Sequence, residues 1–267
     1  MGFKFCSVAS GSSGNCIYIA SDGCRLLIDA GVPLKRIEAS LHALGVSGEQ
    51  IDGVLVTHSH GDHIGGVPAF VRKYGTQVYC HTDTCGTLYA KMGVTLQRKI
   101  ARIDESDFFV KDITVSPFAV SHDVHCLGYS LYNAGGKISV ATDLGHINSM
   151  VINRIAGSDI ALIEANHDEQ VLKNNPRYPD RLKARILSRS GHLSNASCGA
   201  AVAELARSGV KQVILGHLSE NNNTPELALG TVKDILRGSL AELDNDVRVA
   251  VALQERMSAV YEINTAS

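Results

Sequence analysis

The sequence predicts an α/β fold, with strands in mixed sheets and helices outside them. Three observations carry that reading. The runs Val54-Leu55-Val56 and Val213-Ile214-Leu215 are short and continuously apolar, like strands buried on both faces of a parallel sheet. Helical and strand patterns alternate along most of the chain. No low-complexity tract or linker interrupts the 267 residues, so residues 1–267 read as a single domain. Composition agrees, because 45% hydrophobic residues can build a sizeable core and 19% charged residues are too few for a disordered chain.

Taken in order, Phe3–Ala9 reads as a strand, and Ser10-Gly-Ser-Ser-Gly-Asn15 as a turn-forming loop. Cys16–Ala20 and Arg25–Asp29 form a hairpin across Ser21-Asp22-Gly23. Pro33 opens a helix with Leu34, Ile37, Leu41 and Leu44 at helical spacing, and Gly45 stops it. The strand Val54–Val56 leads through a polar loop to a helix at Val67–Tyr74, a strand at Gln77–Cys80 and a helix at Thr84–Met92. Strands follow at Ile113–Val120, Gly128–Asn133 and Ile138–Ala141, then a helix near Asn148–Ile155 and a strand at Ile160–Glu164. Helices are expected near Tyr178–Leu187 and at Ser194–Ser208, the latter capped by Ser194 and stopped by Gly209. The strand Val213–Leu215 precedes a helix begun by Thr224-Pro225, and strands at Val247–Leu253 and Ala259–Ile263 end the pattern. The second half repeats the first loosely: hairpin strands, then helix–strand units.

Charge and cysteine narrow the function classes. The 25 basic and 27 acidic residues leave a net charge of −2, which excludes a basic nucleic-acid coat as a whole-chain property but not a local patch. Seven cysteines without a Cys-x-x-Cys pair give no zinc-ribbon or thioredoxin signal, and each reads as a small buried hydrophobe. The N-terminus turns to Gly and Ser too early for a signal peptide, and no apolar run approaches the roughly 18 residues of a membrane span. A cytoplasmic protein with reduced thiols and no membrane partner is therefore expected. Eleven histidines with no tryptophan suggest metal or proton chemistry.

That chemistry gathers at Thr57–Gly66. His58, His60, Asp62 and His63 fall within six residues, directly after a buried strand. They therefore lie in a loop at the strand's carboxyl end, where open α/β sheets bind ligands. Imidazole with carboxylate suits zinc- or iron-like metals rather than calcium, and Gly61, Gly65 and Gly66 let the backbone bend so that the four groups converge. The plain alternative is a solvated polar loop.

The run His58-x-His60-x-Asp62-His63 after a strand resembles the signature of the metallo-β-lactamase-fold hydrolases. The resemblance implies a four-layer αββα sandwich with a binuclear metal site, and later motifs extend it over nearly the whole chain. It implies that Asp29, in Leu-Ile-Asp-Ala-Gly, supports the metal loop from behind the ligands. His122, in Ser-His-Asp, corresponds to the third histidine ligand, Asp143, in Ala-Thr-Asp-Leu-Gly, to the aspartate that bridges both metals, and His217, in Gly-His-Leu-Ser, to the last ligand. On this pattern one metal takes His58, His60 and His122, the other takes Asp62, His63 and His217, and Asp143 touches both. The implied cofactor is a pair of divalent ions (Zn, Mn or Fe) sharing a water whose lowered pKa yields a hydroxide nucleophile. Esters, amides and phosphodiesters are all open to such a site.

Three further segments narrow the substrate. Ala9–Asn15 exposes backbone N–H groups able to hold phosphate oxygens, although such loops are also plain turns. Glu164-Ala-Asn-His-Asp168 and Gly191-His-Leu-Ser-Asn195 carry His167 and His192, surplus to the ligand set and open to surface, capping, proton-donor or phosphate roles. Together with His217-Leu-Ser-Glu-Asn-Asn222, these segments resemble the YycJ/WalJ-like branch of the superfamily. The resemblance implies a phosphodiesterase acting as a 5′-to-3′ exonuclease on DNA rather than RNA. It implies Ser12, Ser13, Asn15, Asn166, Ser194 and Asn195 at the phosphate, and Asp62 with His192 or His167 in catalysis. Asp143 and His217 stand only 74 positions apart, so no β-CASP insertion fits between them. Substrate grip then falls to short segments, such as the basic run Lys173, Arg177, Arg181, Lys183, Arg185 and Arg189, which is otherwise a solvated helix face.

Two other readings stay open. One is a thioester or lactam hydrolase of the same fold, glyoxalase II-like, which needs neither a basic track nor His192. The other is a non-catalytic regulatory protein stabilised by metal. Of the remaining histidines, His125 and His146 neighbour the ligands in sequence, while His42 and His81 need no function. Oligomeric state is not legible.

Overall fold

The computed structural model describes residues 2–240 and 247–264. Strands β1 (Gly2–Ala9), β2 (Cys16–Ala20) and β3 (Arg25–Ile28) precede helix α1 (Leu34–Ala43) and strand β4 (Gly53–Leu55). A single turn, α2 (Gly61–Ile64), leads into α3 (Val67–Tyr74), β5 (Gln77–His81), α4 (Thr82–Met92), β6 (Ile100–Ile103), β7 (Phe108–Val110) and β8 (Ile113–Val120). Next come β9 (Cys126–Asn133), β10 (Gly136–Ala141), α5 (Ser149–Ile155), β11 (Ile160–Glu164), α6 (Glu169–Asn174), α7 (Asp180–Ile186) and α8 (Asn195–Arg207). Strand β12 (Gln212–Gly216), α9 (Pro225–Leu240), β13 (Arg248–Val251) and β14 (Tyr261–Asn264) follow.

These strands form two seven-stranded sheets, ordered β14-β1-β2-β3-β4-β5-β6 and β13-β12-β11-β10-β9-β8-β7. In the first, β1, β2 and β14 pair antiparallel and β3 to β6 run parallel. In the second, β7 and β8 pair antiparallel and β10 to β13 run parallel. Each sheet thus repeats hairpin strands followed by crossover units, as the sequence suggested. Parallel strands need covering on both faces, which is why β4, β11 and most of β12 are buried along their length.

The chain separates into two compact units. The first comprises Met1–Pro117, Leu131–Gly136 and Gln254–Ser267, the second Phe118–Ser130 and Lys137–Leu253. Each draws on discontinuous stretches, so neither is a segment that can be cut from the chain. The first core sets Ile37 and Leu41 of α1, Phe70 of α3 and Leu88 of α4 against Leu27, Val54 and Val78 of the sheet. The second sets Ile152 of α5, Val202 of α8 and Val232 of α9 against Ala161, Ile163, Val213 and Leu215. Each unit is a helix layer on a sheet, and two such pairs are the components of an αββα sandwich.

Sequence and structure agree closely on elements with strong patterns and differ at weak ones. The expected strands Cys16–Ala20, Ile113–Val120 and Ile160–Glu164 and the helix Val67–Tyr74 are found with the same bounds. Asn148 and Ser194 cap α5 and α8, their side chains accepting from Val151 N and Ser197 N. The sequence reading omits β6, β7 and α6, which are short and half-exposed and so carry little apolar periodicity. All seven cysteines are buried free thiols, as expected. No helix among the described residues is long and apolar enough to cross a membrane.

In the first unit, backbone hydrogen bonds tie the end of β3 to two loops. Asn15 N donates to Asp62 O at 2.8 Å, Ala30 N to His63 O at 2.9 Å, and Gly31 N to Asn15 O at 2.8 Å. Gly31 passes so close to this lacing that a Cβ there would stand 1.6 Å from the Asp62 carbonyl oxygen. Gly31→Ala must therefore displace the loop, and we expect a loss of about 1–3 kcal/mol or more in denaturant unfolding, together with weaker metal uptake. Unchanged stability and metal stoichiometry would show that the loop yields freely.

Candidate metal centre

The first unit places its donors around the buried carboxylate of Asp29. Asp29 Oδ1 accepts from Thr57 N at 2.8 Å, and Oδ2 accepts from Thr57 Oγ1 at 2.8 Å and from His63 Nδ1 at 2.7 Å. The single Thr57 hydroxyl hydrogen is thereby used, so Oγ1 accepts from His58 Nδ1 at 3.0 Å. One carboxylate thus orients two imidazoles, His63 directly and His58 through Thr57, and leaves Nε2 of each as the donor atom. His58 Nε2 lies 2.9 Å from His60 Nδ1, and His63 Nε2 lies 3.4 Å from Asp62 Oδ2.

The second unit repeats this arrangement with Glu164, at the end of β11 and fully buried. Its Oε1 accepts from His192 Nδ1 at 2.7 Å and His217 Nδ1 at 2.9 Å, and its Oε2 from Leu144 N at 2.9 Å. Burial alone would raise this carboxyl's pKa, but the two imidazoles overcome it and hold the pKa well below the usual range. His217 Nε2 is left facing Asp143 Oδ1 at 3.4 Å. His122 Nδ1 donates to the Gly191 carbonyl at 3.3 Å, leaving its Nε2 3.9 Å from Asp143 Oδ1. Donor atoms of Asp143, Glu164, His192 and His217 all lie within 4.8 Å of one another.

These sets fit divalent metal. Two ligand atoms on one tetrahedral zinc stand roughly 3.3 Å apart, from bonds of about 2.0–2.1 Å. The pairs His58–His60, Asp62–His63 and Asp143–His217 match that spacing at 2.9, 3.4 and 3.4 Å. Backbone strain marks the same places. Asp29, Asp143 and His217 hold φ of 58°, 58° and 55°, left-handed values uncommon for residues with a Cβ. Each follows the end of a parallel strand (β3, β10 and β12), where the left-handed turn swings its side chain away from the strand direction.

The remaining residues expected at the site divide by exposure. Ser12 and Ser13 are exposed on the loop before β2. Asn15 is buried, its amide occupied by Gly11 N, Gly11 O and the His63 ring. Asn166 is buried and donates to His217 O at 2.9 Å. Ser194 caps α8, and Asn195 pairs amide to amide with Asn223 at 3.0 and 2.8 Å. These four side chains are engaged by protein rather than turned to solvent. His146 Nδ1 donates to Arg189 O at 3.1 Å.

His167 and His192, alike in sequence, differ in state. Burial lowers the pKa of His167 to about 4, and neither ring nitrogen has a hydrogen-bond partner among the described residues. Burial also opposes charge on His192, but Glu164 outweighs it and its pKa is raised. Sequence reading gave no role of their own to Glu164, Thr57 and Asn223. For Glu164 a signal existed: a lone carboxylate ending the apolar run Ile160–Ile163. For Asn223 none did, because its partner Asn195 lies 28 positions away.

Sheets with helix layers and paired imidazole–carboxylate donors at strand ends define a metal-dependent hydrolase that binds divalent metal. A model of the metallo-β-lactamase superfamily matches residues 9–217. The chain is 36% identical over 229 residues to exodeoxyribonuclease YycJ of Bacillus anthracis, covering 85% of this chain and 86% of that protein. It is also 36% identical over 231 residues to exodeoxyribonuclease WalJ of Streptococcus pneumoniae, covering 85% of each. The metallo-β-lactamase fold protein YhfI of Bacillus subtilis shares the fold at a TM-score of 0.72 and 15% identity, over 98% of this chain and 100% of that one. The chain belongs to the metallo-β-lactamase superfamily, in the branch that includes YycJ and WalJ.

Two measurements test the site. Asp29→Asn removes the anionic acceptor behind His63 and Thr57, and we expect metal affinity to fall about 10–100-fold in a competitive zinc titration; an unchanged affinity would contradict the anchoring role. His167, with an ordinary pKa of 6.5 lowered to about 4, stays neutral in the fold while the unfolded chain takes up its proton. Stability from this group is therefore present above the unfolded pKa and is lost as pH falls through the folded one. Unfolding free energies measured from pH 7 to 4 should fall more steeply for the wild type than for His167→Gln.

Proposed function

We propose that this protein is a two-metal phosphodiesterase that degrades DNA as an exonuclease from the 5′ end. The observation that carries the reading is His192, held by Glu164 within 3.9 Å of Asp143 Oδ1. An imidazole at that place, its pKa raised by Glu164, suits protonation of a leaving alkoxide, and the identity to exodeoxyribonucleases of the same branch supports a DNA diester as substrate.

In this reading His58, His60 and His122 hold one ion, Asp62, His63 and His217 the other, and Asp143 both. The ions are Zn, Mn or Fe, since imidazole with carboxylate accepts each. When bound, they supply an activated water and neutralise charge on the phosphate. The chain's own residues do the rest. Asp29 and Glu164 keep the imidazoles in register. The exposed Ser12 and Ser13 offer hydroxyl and backbone donors to phosphate oxygens. Asn15, Asn166, Ser194 and Asn195 act by fixing the loops that reach the phosphate. His192 carries the proton to the leaving oxygen, and His167, neutral at pH 7, contributes as a neutral hydrogen-bonding group. Exposed Arg177, Arg181 and Arg189 present positive charge to the strand. Buried free thiols suit a reducing cytoplasm.

Incubating the protein with 5′- and 3′-labelled single- and double-stranded DNA in Zn²⁺, Mn²⁺ or Mg²⁺ tests this. The expected outcome is early release of the 5′ label, no cleavage by Asp62→Ala, and a drop in kcat of about 10²–10⁴-fold for His192→Ala. DNA left intact with every metal, or a thioester turned over equally by wild type and His192→Ala, would sink the reading in favour of a carbon-centred hydrolase.

A further inference from the structure

A crevice of about 470 Å³ opens on the second unit between the end of α6 and the loop after His217. Its polar lining is carboxamide: Gln170, Asn174 and Asn221 are exposed there and make no side-chain hydrogen bond to a described residue. Val171, 41% exposed, and Pro176 supply apolar surface. Arg177 lines the same crevice and forms no ion pair with a described residue, and no acidic side chain lines it.

We propose that this crevice is a nucleotide subsite: it takes the base of a nucleotide within a few steps of the one cleaved, and Arg177 takes the adjoining phosphate. The inference rests on the nuclease reading and specifies how the strand is gripped. Three arguments support it. A carboxamide offers both a donor and an acceptor, so a cluster of them can meet the edge of any base, while a guanidinium matches phosphate. The volume lies within the range of small-ligand clefts, about 300–1,000 Å³. The floor is built and is tied to the metal-binding loop. Asn175 Oδ1 accepts from Arg177 N at 2.9 Å, and its Nδ2 donates to Asn222 Oδ1 at 2.7 Å. Asp168 N donates to Asn222 O at 3.0 Å, Ser219 N to Asn166 O at 2.8 Å, and Asn166 Nδ2 to His217 O at 2.9 Å. Asn221 follows His217 by four residues, a reach of at most about 14 Å. That is no more than about four nucleotide steps at about 3.4 Å of rise each.

Binding, read by fluorescence anisotropy of a labelled single-stranded tetranucleotide with the protein in EDTA, tests the subsite apart from cleavage. We expect Arg177→Ala and the double variant Asn174→Ala/Asn221→Ala each to weaken binding about tenfold, and an abasic ligand to lose the effect of the Asn changes while keeping that of Arg177. These residues lie on the surface, so circular dichroism should confirm folded variants. Wild-type affinity in both variants, or equal loss with the abasic ligand in the Asn variant, would overturn the subsite. The two readings fail separately. A wild type that binds through the crevice but cleaves no DNA refutes the nuclease and leaves the subsite. A wild type that cleaves, with variants that bind as it does, refutes the subsite and leaves the nuclease.

Discussion

The hydrogen bond from a histidine Nδ1 to a buried carboxylate is the constraint on which the rest of this site depends. Asp29 and Glu164 are 3% and 0% exposed, positions where an isolated charge would be costly. Each is stabilised by two further kinds of contact: backbone N–H donors, and imidazole N–H groups. In return each fixes the tautomer and rotation of the rings it touches. A histidine whose Nδ1 is held in this way can present only Nε2, and donor atoms thereby come to the separations a single metal demands. Had the carboxylates been amides, the same rings could have flipped without electrostatic penalty.

Strand ends make this possible. A side chain within a buried parallel strand points into the core, so polar donors must lie just beyond its last residue. Asp29, Asp143 and His217 take that place and adopt left-handed backbone values there. Such strain survives only where surrounding contacts over-determine it. The lacing of Asn15, Ala30 and Gly31 onto the 62–63 backbone does so in the first unit, and the Asn166 contact to His217 O does so in the second. The well-packed sheet and helix layers behind them act as the rigid support that a metal-ligand set requires.

Electrostatics is local in this molecule. A net charge of −2 conceals an exposed basic face around α7. Part of that face is engaged: Arg185 pairs with Asp123, and Lys173 with Glu169. Arg177 is exposed, forms no ion pair with a described residue, and stands beside neutral carboxamides. The two surplus histidines are separated in the same local way. His167 is buried and His192 half-buried, and of the two only His192 meets a carboxylate among the described residues, so the pKa of one imidazole is raised and that of the other lowered.

Much of the fold was legible in the sequence, and so were the side chains that the candidate metal centre gathers. Periodicity located the long strands and helices, because core packing demands apolar residues at the spacing of each element. The His58–His63 run was legible because four donors crowd one loop. What periodicity could not reach was whatever depends on residues far apart in the chain. The edge strands β6 and β7 have little apolar pattern, since they are half-exposed. The work of Asn15 and Asn195 was read as phosphate contact, but burial and partners 48 and 28 positions away turned these side chains to holding the fold. Glu164 was seen only as part of a motif. Its carboxylate acquires meaning when β11 and β12 pair side by side and bring His217 within 2.9 Å. The sequence by itself determined which elements form and which residues can bind metal, for those follow from local pattern and side-chain chemistry. Tertiary structure alone decided which carboxylate orients which imidazole, and hence in which direction each histidine's pKa moves, because burial and hydrogen-bond distance exist only once the strands have paired.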